Sequence, residues 1–286
     1  MALAFFFRFL IGMAVGSSLN VIAFRYKPGG FLITRDILMG RSRCMACDRT
    51  LRWFELIPVL SFLAQAGRCR MCKNRLSLQY PTVEIIAGVL FVFVPMGINA
   101  PESIRWIIVG AWLAASSLFL LLALIDLREK VIPDEINIAI AALGIAVAAS
   151  YWFSNTTLPL PPSFVGYYGT MLGFHDGLIA NRSAAFFSVI LLFGIIIAFT
   201  RGRGMGMGDL KLMAAMGILF GWPEILFIAM LSFILGAIAA VPLLFSKRKT
   251  IKDAVPFGPF IVLAAALIFF FGFDMISWYF GILNIG

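Results

Sequence analysis

The sequence predicts an all-α integral membrane protein with about eight transmembrane helices and a small cysteine-bearing module between the first and second. Three observations carry that prediction. The 286 residues are 62% hydrophobic and only 13% charged, whereas a soluble domain is roughly half apolar and a quarter charged. Apolar runs near the ~20 residues that cross a bilayer recur along the chain. The basic residues fall in alternate loops.

Taken in order, the predicted spans are residues 4–24, 82–98, 104–126, 135–153, 183–200, 209–221, 224–245 and 256–280. The first could be a signal peptide. It contains Arg8, lacks a clear small-x-small cleavage site and runs on to Asn20, so it reads as a retained helix. The sixth, residues 209–221, would rise only ~20 Å. It is either a re-entrant half-span or begins inside the preceding glycine-rich loop, and Gly221-Trp222-Pro223 ends it. Gly272 and Asp274 soften the last boundary.

Sidedness follows from charge. Residues 25–80 hold eleven Lys and Arg, from Arg25 and Arg35 to Lys73 and Arg75. The 127–134 loop adds Arg128 and Lys130; residues 201–211 add Arg201, Arg203 and Lys211; the 246–255 loop adds Lys247, Arg248, Lys249 and Lys252. Together these are 20 of the 23 basic residues, leaving Arg8, Arg105 and Arg182. By the positive-inside rule these four loops are cytoplasmic and both termini face out. The net charge of +9 is therefore topology, and not a nucleic-acid surface. A basic face would also attract anionic lipid head groups.

Two aspartates sit where a membrane chain should least want them. Asp126 closes the third predicted span, and Asp209 opens the sixth after Gly204-Met205-Gly206-Met207-Gly208. A carboxylate at membrane depth costs roughly 2.5–3.5 kcal/mol on insertion scales. Two spans intervene, so both aspartates belong to the cytoplasmic boundary and topology allows them to meet. Two close carboxylates cannot both ionise easily and share a proton. One can then take a proton from water while the other polarises a scissile carbonyl. The glycines permit close backbone approach, as an extended substrate would need. The alternative is that both are helix-end carboxylates. That suits Asp209 at a helix N-terminus but leaves Asp126, near a C-terminus, without a reason. Asp134 and Glu135 read as N-terminal residues of the fourth span.

The four cysteines form two pairs, Cys44-Met45-Ala46-Cys47 and Cys69-Arg70-Met71-Cys72, with 21 residues between them. That spacing is close to a zinc ribbon, in which each pair makes a knuckle and four thiolates close a tetrahedron. A closed site of four cysteines is structural, and it would order a basic loop with little core of its own. A redox pair or free thiols is the other reading. A reducing cytosol disfavours disulfides. The domain reading is residues 1–24 as the first helix, 25–80 as the cytoplasmic cysteine module and 81–286 as the membrane core.

Further blocks stand in fixed order: Gly16-Ser17-Ser18-Leu19-Asn20-Val21 with Arg25, Ile57-Pro58-Val59-Leu60-Ser61 between the cysteine pairs, and Tyr80-Pro81-Thr82-Val83-Glu84 after them. Asp126 is followed by Ile132-Pro133-Asp134, and Gly204 through Leu212 completes the set. With both cysteine pairs, these blocks make the chain resemble the type IV prepilin peptidases over nearly its whole length. Those are bifunctional leader peptidases and N-methyltransferases of pilus and type II secretion systems, with the Gly-x-Gly-Asp motif that presenilin-like proteases share. The resemblance implies that Asp126 and Asp209 are the catalytic pair. It implies an inner-membrane enzyme that removes a short basic leader from a prepilin or pseudopilin after a glycine. It then methylates the new N-terminal residue, usually phenylalanine, from S-adenosylmethionine. Leader and enzyme face are both basic, so docking would rest on the apolar helix and on the precursor's acidic residue, which a loop arginine could meet.

Other features carry less. No dinucleotide-type glycine fingerprint occurs in residues 25–80, so the sequence names no methyl-donor site. Gly67, two residues before the second cysteine pair, reads as a tight-turn residue, with a role in methylation as the alternative. His175 and Asp176 fall in a long outer loop, 154–182, with Pro159, Pro161 and Pro162. Glu84 and Asn20 either order a site by hydrogen bonds or mark the interface. Three other functions compete: a peptidase without methyl transfer, a non-catalytic zinc-ribbon assembly factor, and a proton-coupled transporter. No internal repeat supports the transporter.

Overall fold

The structure is a computed structural model. It describes residues 2–32, 34, 37, 40–154, 163–173, 177–202, 204–245 and 256–282. Among the described residues the regular structure is helical, apart from two isolated β-bridges, Arg43 with Thr50 and Arg68 with Arg75. The chain forms two compact units, Met1–Met96 with Leu113–Ile125, and Gly97–Trp112 with Asp126–Gly286.

The first unit holds α1 (Ala2–Arg25), a one-turn 3₁₀ helix (Trp53–Leu56), α2 (Leu60–Ala64) and α3 (Gln79–Gly97). Helices α1 and α3 approach backbone to backbone because small residues line the contact. A Cβ added at Gly16 would fall 2.9 Å from the Val83 carbonyl oxygen, and one at Gly12 2.5 Å from that of Ala87. Without a hydrophobic drive between helices in lipid, such close packing is the main source of helix association. Asn20, fully buried in α1, holds the start of α3: it donates to the Tyr80 carbonyl at 3.3 Å and accepts from Gln79 Nε2 at 3.3 Å. The side chain thus orders this junction.

Helix α4 (Arg105–Glu129) runs through segments of both units. The second unit continues with α5 (Asp134–Phe153), α6 (Tyr167–Leu172), α7 (Leu178–Thr200), α8 (Met207–Phe220), α9 (Glu224–Phe245) and α10 (Gly258–Ile282). Its centre is α8, which packs between α5 and α7 and also touches α9 and α10. Glycines permit this too. A Cβ at Gly144 of α5 would lie 2.7 Å from the Leu219 nitrogen, and one at Gly217 of α8 would lie 3.1 Å from the Ala185 carbonyl oxygen. Leu212, Met213, Met216 and Leu219 are fully buried. A helix apolar on every side belongs inside a bundle. Its 14 residues rise only about 21 Å, short of a ~30 Å hydrocarbon layer.

The far end of α8 is pinned by polar groups from α7. Asn181 donates to the Trp222 carbonyl at 2.7 Å and accepts from the Trp222 N–H at 3.2 Å. Arg182 donates to the Leu219 carbonyl at 2.5 Å, satisfying an end-of-helix acceptor. Trp112, Phe164, Phe220 and Phe269 make an aromatic cluster at the same end, with Trp112 4.9 Å from Phe220 and 5.0 Å from Phe269.

Among the described residues seven helices are long and apolar enough to cross a membrane: α1, α3, α4, α5, α7, α9 and α10. Large apolar side chains such as Phe187, Leu191, Phe199 and Trp278 stand exposed on them, as lipid-facing residues do. The predicted all-α membrane architecture is thus present, with α8 as the short eighth helix starting inside the glycine-rich loop at Met207. Two boundary shifts bear on the polar residues. Helix α7 begins at Leu178 where sequence placed loop to 182, because Asn181 and Arg182 are bound to α8 and its following turn. Helix α4 runs on to Glu129, so Asp126 lies inside its last turn and does not close it.

Candidate active site and metal centre

Asp126 and Asp209 both belong to the second unit. Asp126 is 4% exposed. Lys130, left-handed at φ 55°, ends α4 by donating its N–H to the Asp126 carbonyl at 2.9 Å. The Asp126 side chain is engaged elsewhere: Oδ2 accepts the N–H of Gly258 at 2.9 Å. Gly258 is the first residue of α10, so the carboxylate meets the positive end of a helix dipole and one of its unpaired amides. Sequence reasoning found no partner for Asp126 and missed Gly258. The signal was Pro256-Phe257-Gly258-Pro259, a helix start with a free amide between two prolines.

Asp209 is half-buried in the first turn of α8. Its Oδ2 accepts the N–H of Gly206 at 3.2 Å, reaching back as a third-position carboxylate does. A Cβ at Gly206 would sit 3.4 Å from that same oxygen, and one at Gly208 would sit 3.2 Å from Ile132. The Ile132 contact brings the turn after α4 onto the glycine loop. Lys211 also bridges to Asp134, Nζ lying 2.9 and 2.8 Å from its two carboxylate oxygens. Helices α5 and α8 therefore start side by side at one end of the bundle. Asp209 lies in the first turn of α8 and Asp126 in the last turn of α4, just ahead of the Ile132 turn that meets the glycine loop. Asp134 is exposed and spent in its ion pair. Each carboxylate is steadied by one backbone N–H beside a helix N-terminus, and a carboxylate so held can take a proton from water or give one up.

The cysteine pairs lie in the first unit and are built alike. The N–H of Cys44 donates to Arg49 O at 2.9 Å, and Asp48 N–H returns to Cys44 O at 2.9 Å. Twenty-five residues on, Cys69 donates to Asn74 at 2.8 Å and Lys73 returns to Cys69 at 3.0 Å. Leu51 with Ser42 and Leu76 with Gly67 close both loops identically at 2.8 Å. Asp48 (φ 52°) and Lys73 (φ 57°) make the equivalent left-handed turns. The four sulfurs lie within 4.8 Å of one another, with Cys44 Sγ 3.9 Å from Cys72 Sγ. Tetrahedral zinc–sulfur bonds of about 2.3 Å would set sulfurs about 3.8 Å apart, so the cluster can hold a metal ion. The Cys69 thiol is drawn down to about 6, first by the N–H of Cys72 and then by that of Met71, against burial. A thiolate is what a metal binds.

The module is braced from within. Glu55 accepts the Arg52 N–H at 2.8 Å and pairs with Arg49. Burial raises its carboxyl, but the Arg52 amide and the Arg49 guanidinium outweigh that and hold it below the usual range. Arg70 lies 5.3 Å over the Phe54 ring. Gly67, at φ 65°, ends α2 by donating to the Phe62 carbonyl at 2.9 Å, the tight turn expected of it. His175, Asp176, Arg35, Arg203, Lys247, Arg248, Lys249, Lys252 and the prolines Pro159, Pro161 and Pro162 lie outside the described residues.

Known proteins share this arrangement of sequence. Residues 10–98 match the Bacterial Peptidase A24 N-terminal domain, and residues 112–241 match the Type IV leader peptidase family. A prepilin leader peptidase/N-methyltransferase of Pseudomonas putida is 30% identical over 272 residues, covering 89% of this chain and 86% of its own. Proteins of the same name from Legionella pneumophila and Aeromonas hydrophila are 26% and 27% identical, each covering 95% of this chain and 93% and 92% of their own. No solved structure matches the chain. With both halves matched and the relatives aligned nearly end to end, the chain belongs to the type IV leader peptidase family, whose members are membrane peptidases.

Proposed function

We propose that this chain removes the leader from type IV prepilins or pseudopilins with Asp126 and Asp209 as an acid–base pair. It then methylates the new N-terminus from S-adenosylmethionine. The observation that supports the peptidase reading best is the placement of both carboxylates at one end of the second unit, each on a backbone N–H at a helix start. One carboxylate takes a proton from water, whose oxygen attacks the scissile carbonyl carbon while the other protonates the carbonyl oxygen. The tetrahedral intermediate collapses when the leaving nitrogen takes a proton and the C–N bond breaks. Gly206, exposed, and Gly208, half-buried, lie beside Asp209 and leave room for an extended peptide backbone.

In this reading Cys44, Cys47, Cys69 and Cys72 hold a structural zinc ion, which would fix the two knuckles and the loop they carry. Residues 1–24, 25–80 and 81–286 act as anchor helix, methyl-transfer module and peptidase core. Enzyme and precursor share the bacterial inner membrane, with the aspartates and the module on the cytoplasmic side, as the basic loops argue. The relatives' names join the same two activities. The test is to incubate the purified protein in detergent with a prepilin and follow the precursor's mass. Loss of the leader, then gain of a methyl group on adding S-adenosylmethionine, is expected. An intact precursor across several prepilins would contradict the reading.

A further inference from the structure

The first unit contains a cavity of about 830 Å³ between α1, the start of α3 and the cysteine module. Sites for small ligands run to roughly 300–1,000 Å³, so this one takes a ligand as large as a nucleoside joined to an amino acid. Its lining surface is mainly apolar, with five basic side chains between Arg25 and Arg75 and two buried carboxylates, Glu55 and Glu84, each 6% exposed. Among the described residues Glu84 has no ion-pair partner; it accepts the Val59 N–H at 2.7 Å and a hydrogen bond from Ser17. A buried carboxylate without a countercharge is costly unless a cation comes to it. The donor to Glu84 is itself strained. Val59 is β-branched and sits at φ 59°, a region such residues avoid and which collects at functional sites. Phe24 and Tyr80, also in the lining, stack with ring centroids 5.1 Å apart, offering an aromatic face to a flat base or a cation. Arg25, another lining residue, is held in place by the carbonyls of Ile37, Gly40 and Arg41 at 2.8, 2.7 and 3.1 Å.

We infer that this cavity is the methyl-donor site: Glu84 receives the sulfonium of S-adenosylmethionine and the Phe24–Tyr80 pair its base. The inference rests on the methyl-transfer reading above and adds the place and the recognising residues. In the transfer the lone pair of the neutral N-terminal amine forms the new N–C bond. The C–S bond breaks with its electrons going to sulfur, and the nitrogen's extra proton leaves to solvent. The donor is cationic at sulfur and the thioether product is neutral there. A carboxylate that recognises the sulfonium therefore favours donor over product.

That difference is the test. The full chain is purified in detergent as wild type, Glu84→Gln and Tyr80→Leu. Binding of S-adenosylmethionine and S-adenosylhomocysteine is measured by calorimetry, with leader cleavage and zinc content read on the same samples. Glu84→Gln keeps an acceptor for Val59 and removes only the charge. It should weaken the donor by about tenfold and the product far less, with cleavage continuing. Tyr80→Leu should weaken both, and it carries the test should Glu84→Gln lose zinc. Unchanged donor binding in both variants, or equal losses for donor and product in a zinc-loaded Glu84→Gln, would overturn the site. A wild type that binds neither compound would overturn the methyl-transfer reading and the site with it. Wild-type binding and transfer beside unaffected variants would overturn the site alone.

Discussion

The carboxylate of Asp126, in the last turn of α4, accepts the backbone N–H of Gly258, 132 residues further along the chain, at 2.9 Å. One contact thus fixes one member of the aspartate pair to the start of α10. Replacing Gly258 by proline keeps a residue that suits the first position of a helix, while it removes that N–H and sets the ring against the Asp126 carboxylate. A hydrogen bond to a charged group contributes about 1.5–3 kcal/mol. Gly258→Pro should therefore cut leader cleavage by roughly ten- to hundredfold, measured as kcat/KM on a prepilin, while zinc content stays unchanged. Wild-type kinetics would show that Asp126 does not need this contact.

Asp134 offers the contrasting aspartate. It is exposed and paired with Lys211 at 2.8 Å, and exposed pairs contribute about 0–1 kcal/mol. Asp134→Asn should retain cleavage near the wild-type rate and lower thermal stability by less than about 1 kcal/mol. Loss of cleavage in this variant would move the catalytic assignment.

Helix α8 depends on a bare helix face opposite it. A Cβ at Gly144 would lie 2.7 Å from the Leu219 nitrogen, which is backbone and cannot rotate away. Gly144→Val should destabilise the second unit by about 1–3 kcal/mol as an overpacked contact, seen as a lower unfolding temperature in detergent. It should also reduce cleavage, because Asp209 rides on α8. An unshifted transition would mean that α5 and α8 pack more loosely.

The cysteine cluster has a proton signature. Metal binding displaces a proton from each thiol that is still protonated. With the Cys69 thiol drawn down to about 6, that sulfur is already thiolate at pH 7.5. Zinc binding to the apo-protein at pH 7.5 should release fewer than four protons, from buffer-dependent calorimetry. Affinity should weaken as pH falls through about 6, where Cys69 too must lose a proton to bind. Release of four protons at pH 7.5 would contradict the Cys69 environment.

Much of this molecule is readable in its residues. The helices follow from apolar runs that no soluble core would need, and the two knuckles from Cys-x-x-Cys pairs whose flanking hydrogen bonds repeat 25 residues apart. The aspartates stood out because carboxylates are rare at the ends of such runs. Local pattern could not supply what long-range packing decides. The Gly258 amide serves Asp126 from another helix, and Glu84 meets Val59 across 25 residues. Asn181 and Arg182 extend α7 because they bind α8 and the turn after it, which a loop-like polar pair does not announce. The depth of α8 likewise depends on neighbours that cover it.

The central claim is that Asp126 and Asp209 act as one catalytic pair. The most direct measurement is the mass of a prepilin incubated with wild type, Asp126→Asn and Asp209→Asn, each with its zinc content determined. Loss of the leader is expected with wild type and an intact precursor with either variant, both zinc-loaded and folded. Continued cleavage by either variant would contradict it.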